Sequence, residues 1–242
     1  MFKLIRSEIY RLLHKKSMFI YFGAMAAGYL LLAFIRSGGF TEGSIVSDAN
    51  SLFTLLPALA GGFLFSAIYT DDLNSKNLIS LVGFGVNKLT IVVAKFVLSV
   101  LFGAVVFGIV PIYHCAVYTA LGQTATISMA AAIYAASLKH LLAYLAYSAL
   151  SGVVVYGLQR ATFAIVTFIL LAFGVVGSLA SLALHTFAPN LVRHLVSGIT
   201  DRILMGMISE EPLIMPVIEY IFFVLEALVL SQIAFYKKEM EF

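Results

Sequence analysis

The chain has 242 residues, of which 62% are hydrophobic and only 11% are charged. Soluble domains carry about 25% charged residues, so this composition excludes a soluble globule and favours a membrane protein. The net charge of +3 is small, and the single cysteine excludes an internal disulfide.

The N-terminal segment is basic and amphipathic. Phe2 and Ile9 lie two helical turns apart on one face, while Arg6 and Arg11 lie on the others. This pattern predicts a helix within residues 1–16 that lies flat at the lipid surface, with its cations among anionic headgroups. An ordinary basic tail is the alternative. The apolar run that follows lacks a small-residue cleavage site, so we interpret it as a retained span.

Six apolar stretches are each long enough to cross the hydrocarbon core, which takes about 20 residues. They cover residues 17–35, 51–70, 89–113, 138–158, 161–184 and 213–236. We therefore predict an all-α integral membrane protein with six transmembrane helices, which form a single permease-like domain over the whole chain, 1–242.

The connections between the spans differ in character. A polar segment, 71–88, follows the second span, and a long loop, 185–212, follows the fifth. Residues 129–136 predict a short interfacial helix before the fourth span. Gln159 and Arg160 predict a very tight turn after it.

The distribution of basic residues predicts the orientation. With the N-terminus in the cytoplasm, 11 of the 15 Lys and Arg residues fall on inner segments. The remaining four, on outer segments, are Arg36, Lys139, Arg193 and Arg202. Both termini are then cytoplasmic, which requires an even number of spans and agrees with six. Segment 71–88 is accordingly predicted to be cytoplasmic, and loop 185–212 extracellular.

Signatures of soluble enzymes are missing from the sequence. It contains no Gly-x-x-x-x-Gly-Lys-Ser/Thr phosphate loop, no His-Glu-x-x-His motif and no Gly-x-Ser-x-Gly nucleophile elbow. The five histidines include no pair at helical metal-ligand spacing. We therefore expect no catalytic, cofactor or metal site in this chain.

The polar segment after the second span carries the strongest functional signal. It begins with two acids, continues as a short amphipathic helix, turns at two glycines and ends at a lysine. A short helix held between two spans can transmit motion from a partner to both, although a plain connector is the alternative. The candidate coupling residues are Asp71, Asp72, Asn74, Lys76, Asn77, Leu78, Gly83, Gly85 and Lys88.

This order of elements resembles the membrane subunit of an ABC-2-type transporter, the permease that pairs with a separate ATPase chain. The resemblance lies in the basic N-terminal helix, the six spans, an acid (Asp71 or Asp72) after the second span, and Lys88 followed by Lys95. The Gly-Thr pair that this family often shows is lacking at residues 74–77. We expect Lys95, near the start of the third span, to extend its ammonium group to the headgroups.

The resemblance implies partners and a location. The helix after the second span would dock into a cleft of the ATPase, which the N-terminal helix would also touch. Two ATPase copies would bind ATP and Mg, and two permease chains, identical or different, would line one pathway. It further implies a multi-pass protein of the bacterial plasma membrane that exports a hydrophobic or amphipathic cargo, such as a membrane-active peptide, and binds no nucleic acid.

Two further patterns lie within the spans. Small residues four apart allow close helix packing in lipid, between two chains or within one. These dimer-interface candidates are Gly174, Gly177, Ser178 and Ser181.

The sixth span carries Glu219 and Glu226, which share one face. An acid near mid-membrane costs about 2.5–3.5 kcal/mol. The acids predict either a polar cavity, with Lys139 as a partner of Glu219, or a structural ion pair. If they carry ions, the chain is instead an ATP-independent transporter or channel.

Overall fold

The computed structural model describes residues 1–36, 44–75, 77–208 and 212–238. Every regular element within these ranges is helical, which confirms the all-α prediction for the described part of the chain. Of the predicted coupling residues, Lys76 lies outside the described residues.

The helices follow one another with short connections. Their bounds are α1 Phe2–Leu13, α2 Lys16–Arg36, α3 Ser44–Phe53, a π-helical segment Pro57–Gly61, α4 Gly62–Phe65, a second π-helical segment Ser66–Thr70, α5 Asp71–Asn74, α6 Asn77–Gly83, α7 Lys88–Ala120, α8 Ile127–Leu158, α9 Ala161–Ala172, α10 Val175–Phe187, a 3₁₀ helix Pro189–His194, α11 Val196–Ile208 and α12 Ile214–Lys237.

Five helical stretches in the described ranges are long and apolar enough to cross a membrane. They are Lys16–Ile35, Ile45–Leu73, Lys88–Ala120, Ile127–Leu158 and Ile214–Lys237. The pair α9 and α10 adds a sixth if it is counted as one span. The fold is therefore that of a multi-pass membrane protein with five or six spans.

The predicted fifth span, 161–184, is not one straight helix. The axes of α9 and α10 meet at an angle of 59°. Gly174, between them, has φ +73°, a left-handed conformation that glycine adopts without the strain a side chain would add. It precedes α10, and this local geometry turns the chain.

The predicted fourth span, 138–158, is shorter than the helix in the structure. Residues 129–136 do not form a separate interfacial helix, since they are the start of α8, whose first turn is capped by Thr126 (Met129 N to Thr126 Oγ1, 3.3 Å). The 32 residues of α8 extend about 48 Å, beyond the roughly 30 Å hydrocarbon core.

The loop 185–212 contains the 3₁₀ helix and α11. Gln159 forms the predicted tight turn, with φ 54°.

The core is centred on α8, which packs against α7, α9 and α12. Tyr144 of α8 is fully buried, and its ring occupies space left by two glycines. A Cβ added to Gly61 would lie 2.6 Å from Tyr144 Cδ2, and one added to Gly103 would lie 2.9 Å from Cε1. By contrast, α2 is peripheral, because only 11% of the residues in its apolar 18-residue stretch are buried.

Both ends of the chain meet the N-terminal part of α7. Lys95 of α7 contacts Glu8 of α1, and Lys88 contacts the backbone of Phe235 near the end of α12. Helix α1 and the end of α12 therefore lie at the same end of the bundle. Which end faces the cytoplasm stays a prediction.

Candidate functional site: an ionic cluster at one end of the bundle

Six charged side chains from three parts of the chain meet at one end of the bundle. We call this set the ionic cluster, and its members are Glu8, Arg11 and Lys15 of α1, Asp71 and Asp72 of α5, and Lys95 of α7. Three acids and three bases balance, so the formal charges of the cluster sum to zero. Opposite charges in this proximity offset the cost of burying one another.

Lys95 lies at the centre of the ionic cluster. Its Nζ donates to Glu8 Oε2 at 2.9 Å and forms an ion pair with Asp72. Lys95 is 2% exposed, Asp72 1% and Glu8 8%. The prediction that Lys95 extends to the headgroups is therefore wrong, because two buried carboxylates hold its ammonium inside the protein.

Arg11 and Lys15 tie α1 to the end of the second span. Arg11 Nη2 lies 2.6 Å from Glu8 Oε2 and 3.3 Å from Asp72 Oδ1, and it donates to the carbonyl of Ala67 at 3.3 Å. Lys15 pairs with Asp71. Both acids after the second span thus bind basic residues of α1.

One face of α1 packs on the bundle. Ile5, Glu8 and Leu12 are buried, whereas the predicted interfacial residues Phe2 and Arg6 are exposed. Ile9, another predicted interfacial residue, is half-buried. Sequence reasoning missed Glu8. Its signal was its position three residues after Ile5 and four before Leu12, which places an acid on the apolar face.

The cluster stabilises the charged forms of its α1 members. Burial by itself would raise the pKa of Glu8, but the charge of Lys95 and hydrogen bonds from Lys95 and Arg11 outweigh it, so the pKa lies below its ordinary 4.5. Burial likewise would lower the pKa of Arg11, but the hydrogen bond to Glu8 and the charge of Asp72 raise it overall. Both groups are therefore ionised at neutral pH.

The lowered pKa of Glu8 predicts how docking of α1 depends on pH. A carboxyl whose pKa is lowered by docking stabilises the docked state fully at any pH above its ordinary pKa of 4.5. This stabilisation is lost as the pH falls through the lower pKa of the docked state. We expect α1 to stay docked between pH 7 and about 4.5 and to loosen only below it. A fluorophore on Ser7→Cys, in a Cys115→Ser background, would report this. Loosening centred above pH 6 would contradict the assignment.

The polar segment 71–88, which we call the connector, has an exposed aromatic tip beyond the ionic cluster. Leu78 of α6 is buried against the bundle, and Asn77 and Gly83 are exposed. Phe84 follows and is 87% exposed. Gly85, with φ +78°, turns the chain back towards α7. Asp71 and Asp72 at the base of the connector and Leu78 on its inner side are thus held against the bundle. Phe84, at its tip, is exposed.

Lys88 differs in role from the other predicted coupling residues. Its Nζ donates to the carbonyls of Phe235 (2.7 Å) and Lys238 (3.3 Å), and it lies 5.0 Å from the Phe235 ring centroid. A cation at a helix C-terminus satisfies unpaired carbonyls and the helix dipole. Lys88 thus joins α7 to the end of α12.

A second polar cluster lies at the opposite end of the bundle, and sequence reasoning missed it. Tyr118 donates to Asp48 Oδ2 at 2.8 Å, His114 Nε2 lies 3.0 Å from the carbonyl of Ile45, and His114 Nδ1 contacts the Tyr29 hydroxyl. Asp48, His114 and Tyr118 are buried. These contacts fasten α2 and α3 to α7.

An apolar groove of about 510 Å³ runs between α2 and the rest of the bundle. Leu12 lies at one end, and Phe22, Phe102 and Val106 line the middle. Tyr113 lines the other end and donates to the carbonyl of Ala26 at 2.8 Å. Hydrogen bonds of Tyr21, Ala26 and Tyr29 hold α2 along its length, and the groove lies between α2 and α7.

The predicted partner of Glu219 is not the one in the structure. Glu219 pairs with Arg202 of α11 and lies 3.3 Å from His194 Nδ1, whereas Lys139 pairs with Asp201. The prediction of a Lys139–Glu219 pair overlooked α11, which places its own charges between the two helices. Glu226 is exposed on α12. A cavity role for these three residues stays a prediction.

The four dimer-interface candidates line a cavity. Gly174, Gly177, Ser178 and Ser181 border an open space of about 670 Å³ between α10 and α11, which Tyr147 and Phe223 also line. Gly174 additionally forms the bend between α9 and α10. Their role in a dimer stays a prediction.

No family model matches the chain, and neither a curated protein nor a solved structure matches it.

Proposed function

We propose that this chain is the permease subunit of an ATP-driven exporter and works with a separate ATPase subunit. The observation that carries the proposal is the ionic cluster, which joins α1, the base of the connector and α7. A force applied to the connector would reach all three elements together, because buried ion pairs resist separation. This is the mechanical property that a coupling segment requires.

The exposed tip of the connector is the proposed docking surface for the ATPase. Phe84 is 87% exposed, and the inner side of α6 is held by buried Leu78. An aromatic side chain that fills a pocket on a partner is a typical hot spot of binding energy. A partner that closes around Phe84 would move α6 and, through Asp71 and Asp72, the ionic cluster.

The second span has a backbone suited to such movement. It includes the π-helical segments Pro57–Gly61 and Ser66–Thr70, the second of which ends directly before Asp71. π-Helical turns occur frequently at functional sites. We infer that a pull on the connector shifts this span and changes the width of the groove beside α2.

The groove is the proposed site for cargo. Its lining is almost entirely apolar, and Leu12 and Leu13 of the basic helix α1 border it. A hydrophobic or amphipathic cargo, such as a membrane-active peptide, could pass into it from the bilayer. We infer that the cargo leaves the membrane along α2 when the ATPase binds ATP.

The docking surface gives a direct prediction. Phe84→Ser should weaken binding of the ATPase by about 2 kcal/mol or more, about thirty-fold, as loss of an aromatic hot spot does. The measurement is the amount of ATPase that co-purifies with the tagged chain from its own cells in mild detergent. Phe187→Ser is the matched control, since Phe187 is 86% exposed at the opposite end of the bundle.

The possible outcomes distinguish an error in the docking surface from an error in the exporter function. If an ATPase co-purifies equally with both variants, the tip is not the docking surface. If none co-purifies with the unaltered chain, and cargo transport survives ATP depletion, the exporter proposal is wrong. An ATP-independent ion-coupled transporter or channel would then be favoured. The pairing of Glu219 with Arg202 and His194 argues against that alternative, because one of the two acids of α12 is already engaged within the chain.

A further inference from the structure

Glu226 occupies an unusual position in α12. It is the thirteenth of the 24 residues in this helix, so it lies about 18 Å from Ile214 and about 17 Å from Lys237 along the axis. In a helix that crosses the hydrocarbon core, this is close to the middle of the membrane. An ionised carboxylate exposed to hydrocarbon is costly and marks a functional position by default.

The side chain of Glu226 faces away from the bundle. Val224, Ala227 and Ser231 form the buried side of α12 against α8, and Glu226 is exposed. Phe222, four residues earlier, is also exposed. Leu225, Val229, Leu230 and Ile233 complete an exposed apolar surface around the acid. Glu226 is thus a single charge at the centre of an apolar helix face.

Among the described residues, one acid of α12 has ion-pair partners and the other has none. Glu219, two turns earlier, is held by Arg202 and His194. Within ranges 1–36, 44–75, 77–208 and 212–238, no residue gives Glu226 an ion pair or hydrogen bond. Its charge is therefore left for a group outside this chain.

A second copy of the chain offers no suitable cation among the residues that the structure describes. Lys95 is buried in the ionic cluster, Lys88 binds the end of α12, and Lys139 pairs with Asp201. In the described part of the chain, the other basic residues of the spans lie at the helix ends, such as Lys16 and Lys237. A cation for Glu226 would therefore come from another membrane protein.

We propose that the exposed face of α12 binds a transmembrane helix of another membrane protein, through an ion pair between Glu226 and a lysine or arginine near the middle of that helix. The ion pair removes the cost that each charge bears alone in lipid, and the surrounding apolar side chains pack against the partner. The proposal goes beyond the exporter function and does not depend on it.

The test uses a synthetic transmembrane peptide. A polyleucine peptide with one central lysine, labelled as an energy-transfer acceptor, is mixed in phosphatidylcholine vesicles at pH 7 with the donor-labelled full chain. The same peptide with a central leucine measures non-specific association. We expect the lysine peptide to bind at least tenfold more tightly, and a peptide with its lysine two turns off centre to bind like the leucine peptide.

Variants of the chain assign the preference to Glu226. Glu226→Gln and Glu226→Leu should abolish the preference for the lysine peptide, and both are expected to fold because the side chain is exposed. Glu219→Gln should leave the preference intact. Equal binding of the lysine and leucine peptides to the unaltered chain would overturn the proposal, as would a preference that survives in Glu226→Gln. The assay contains neither ATP nor an ATPase, so its failure is distinct from failure of the exporter proposal.

Discussion

Lys95→Met is expected to destabilise the folded protein by about 3–5 kcal/mol, because it leaves one negative charge of the ionic cluster unbalanced inside the bundle. The buried carboxylates of Glu8 and Asp72 would then share Arg11 as their remaining cation. The apparent melting temperature in detergent should fall, and trypsin should cleave α1 at Arg6 much faster. Both are measured on purified protein.

Two further variants make this result interpretable. Lys16→Met removes a lysine that is exposed at the start of α2, and it should change stability by no more than about 0.5 kcal/mol. Lys95→Met combined with Asp72→Asn leaves two acids and two bases in the ionic cluster and should recover most of the loss. If Lys95→Met melts like Lys16→Met, the ionic cluster does not hold α1 in place.

Gly103→Ala is expected to destabilise the protein by about 1–3 kcal/mol through overpacking, although alanine is ordinarily the better helix former. The new methyl group would lie 2.9 Å from Tyr144 Cε1 and 3.0 Å from Leu141 Cδ1. Leu141 can rotate away, but the Tyr144 ring is confined because Gly61 lies on its other side. Thermal unfolding of the purified protein in detergent measures the effect.

Gly108, on the same helix, is the matched control. A Cβ added there meets no atom within 4 Å, so Gly108→Ala should be neutral or slightly stabilising. Tyr144→Leu should reduce the effect of Gly103→Ala, because the smaller side chain can shift away from the new methyl group. Equal melting temperatures for the two alanine variants would show that Tyr144 does not fill the space left by Gly103.

The functional site was only partly predictable from sequence. Two acids directly after an apolar span make Asp71 and Asp72 coupling candidates, and the structure places both in the ionic cluster. Glu8 was missed because the basic residues around it dominate the pattern of α1. Lys95 was misplaced because a lysine near the end of a span normally reaches the headgroups. Its burial depends on carboxylates 87 and 23 positions away in the chain, which local patterns do not reveal.

The same limit explains the partners of the acids in α12. Glu219 and Lys139 were expected to pair because both lie near one end of a span. The structure instead places α11 beside them, so that Arg202 binds Glu219 and Asp201 binds Lys139. A loop of 28 residues between two spans gave little local sign that it would fold into a helix carrying these charges.

What this sequence determined by itself is the class of the protein and the approximate place of its long helices. The length of an apolar stretch is a local property of the sequence. The free-energy cost of placing apolar groups in water or charged groups in lipid acts on each stretch separately. Only the tertiary structure decided which charges are buried together, how Tyr144 fits between two glycines, and that Glu226 faces outward. Each of these depends on contacts between segments far apart in the chain, so their energies belong to pairs of helices and not to any one stretch of sequence.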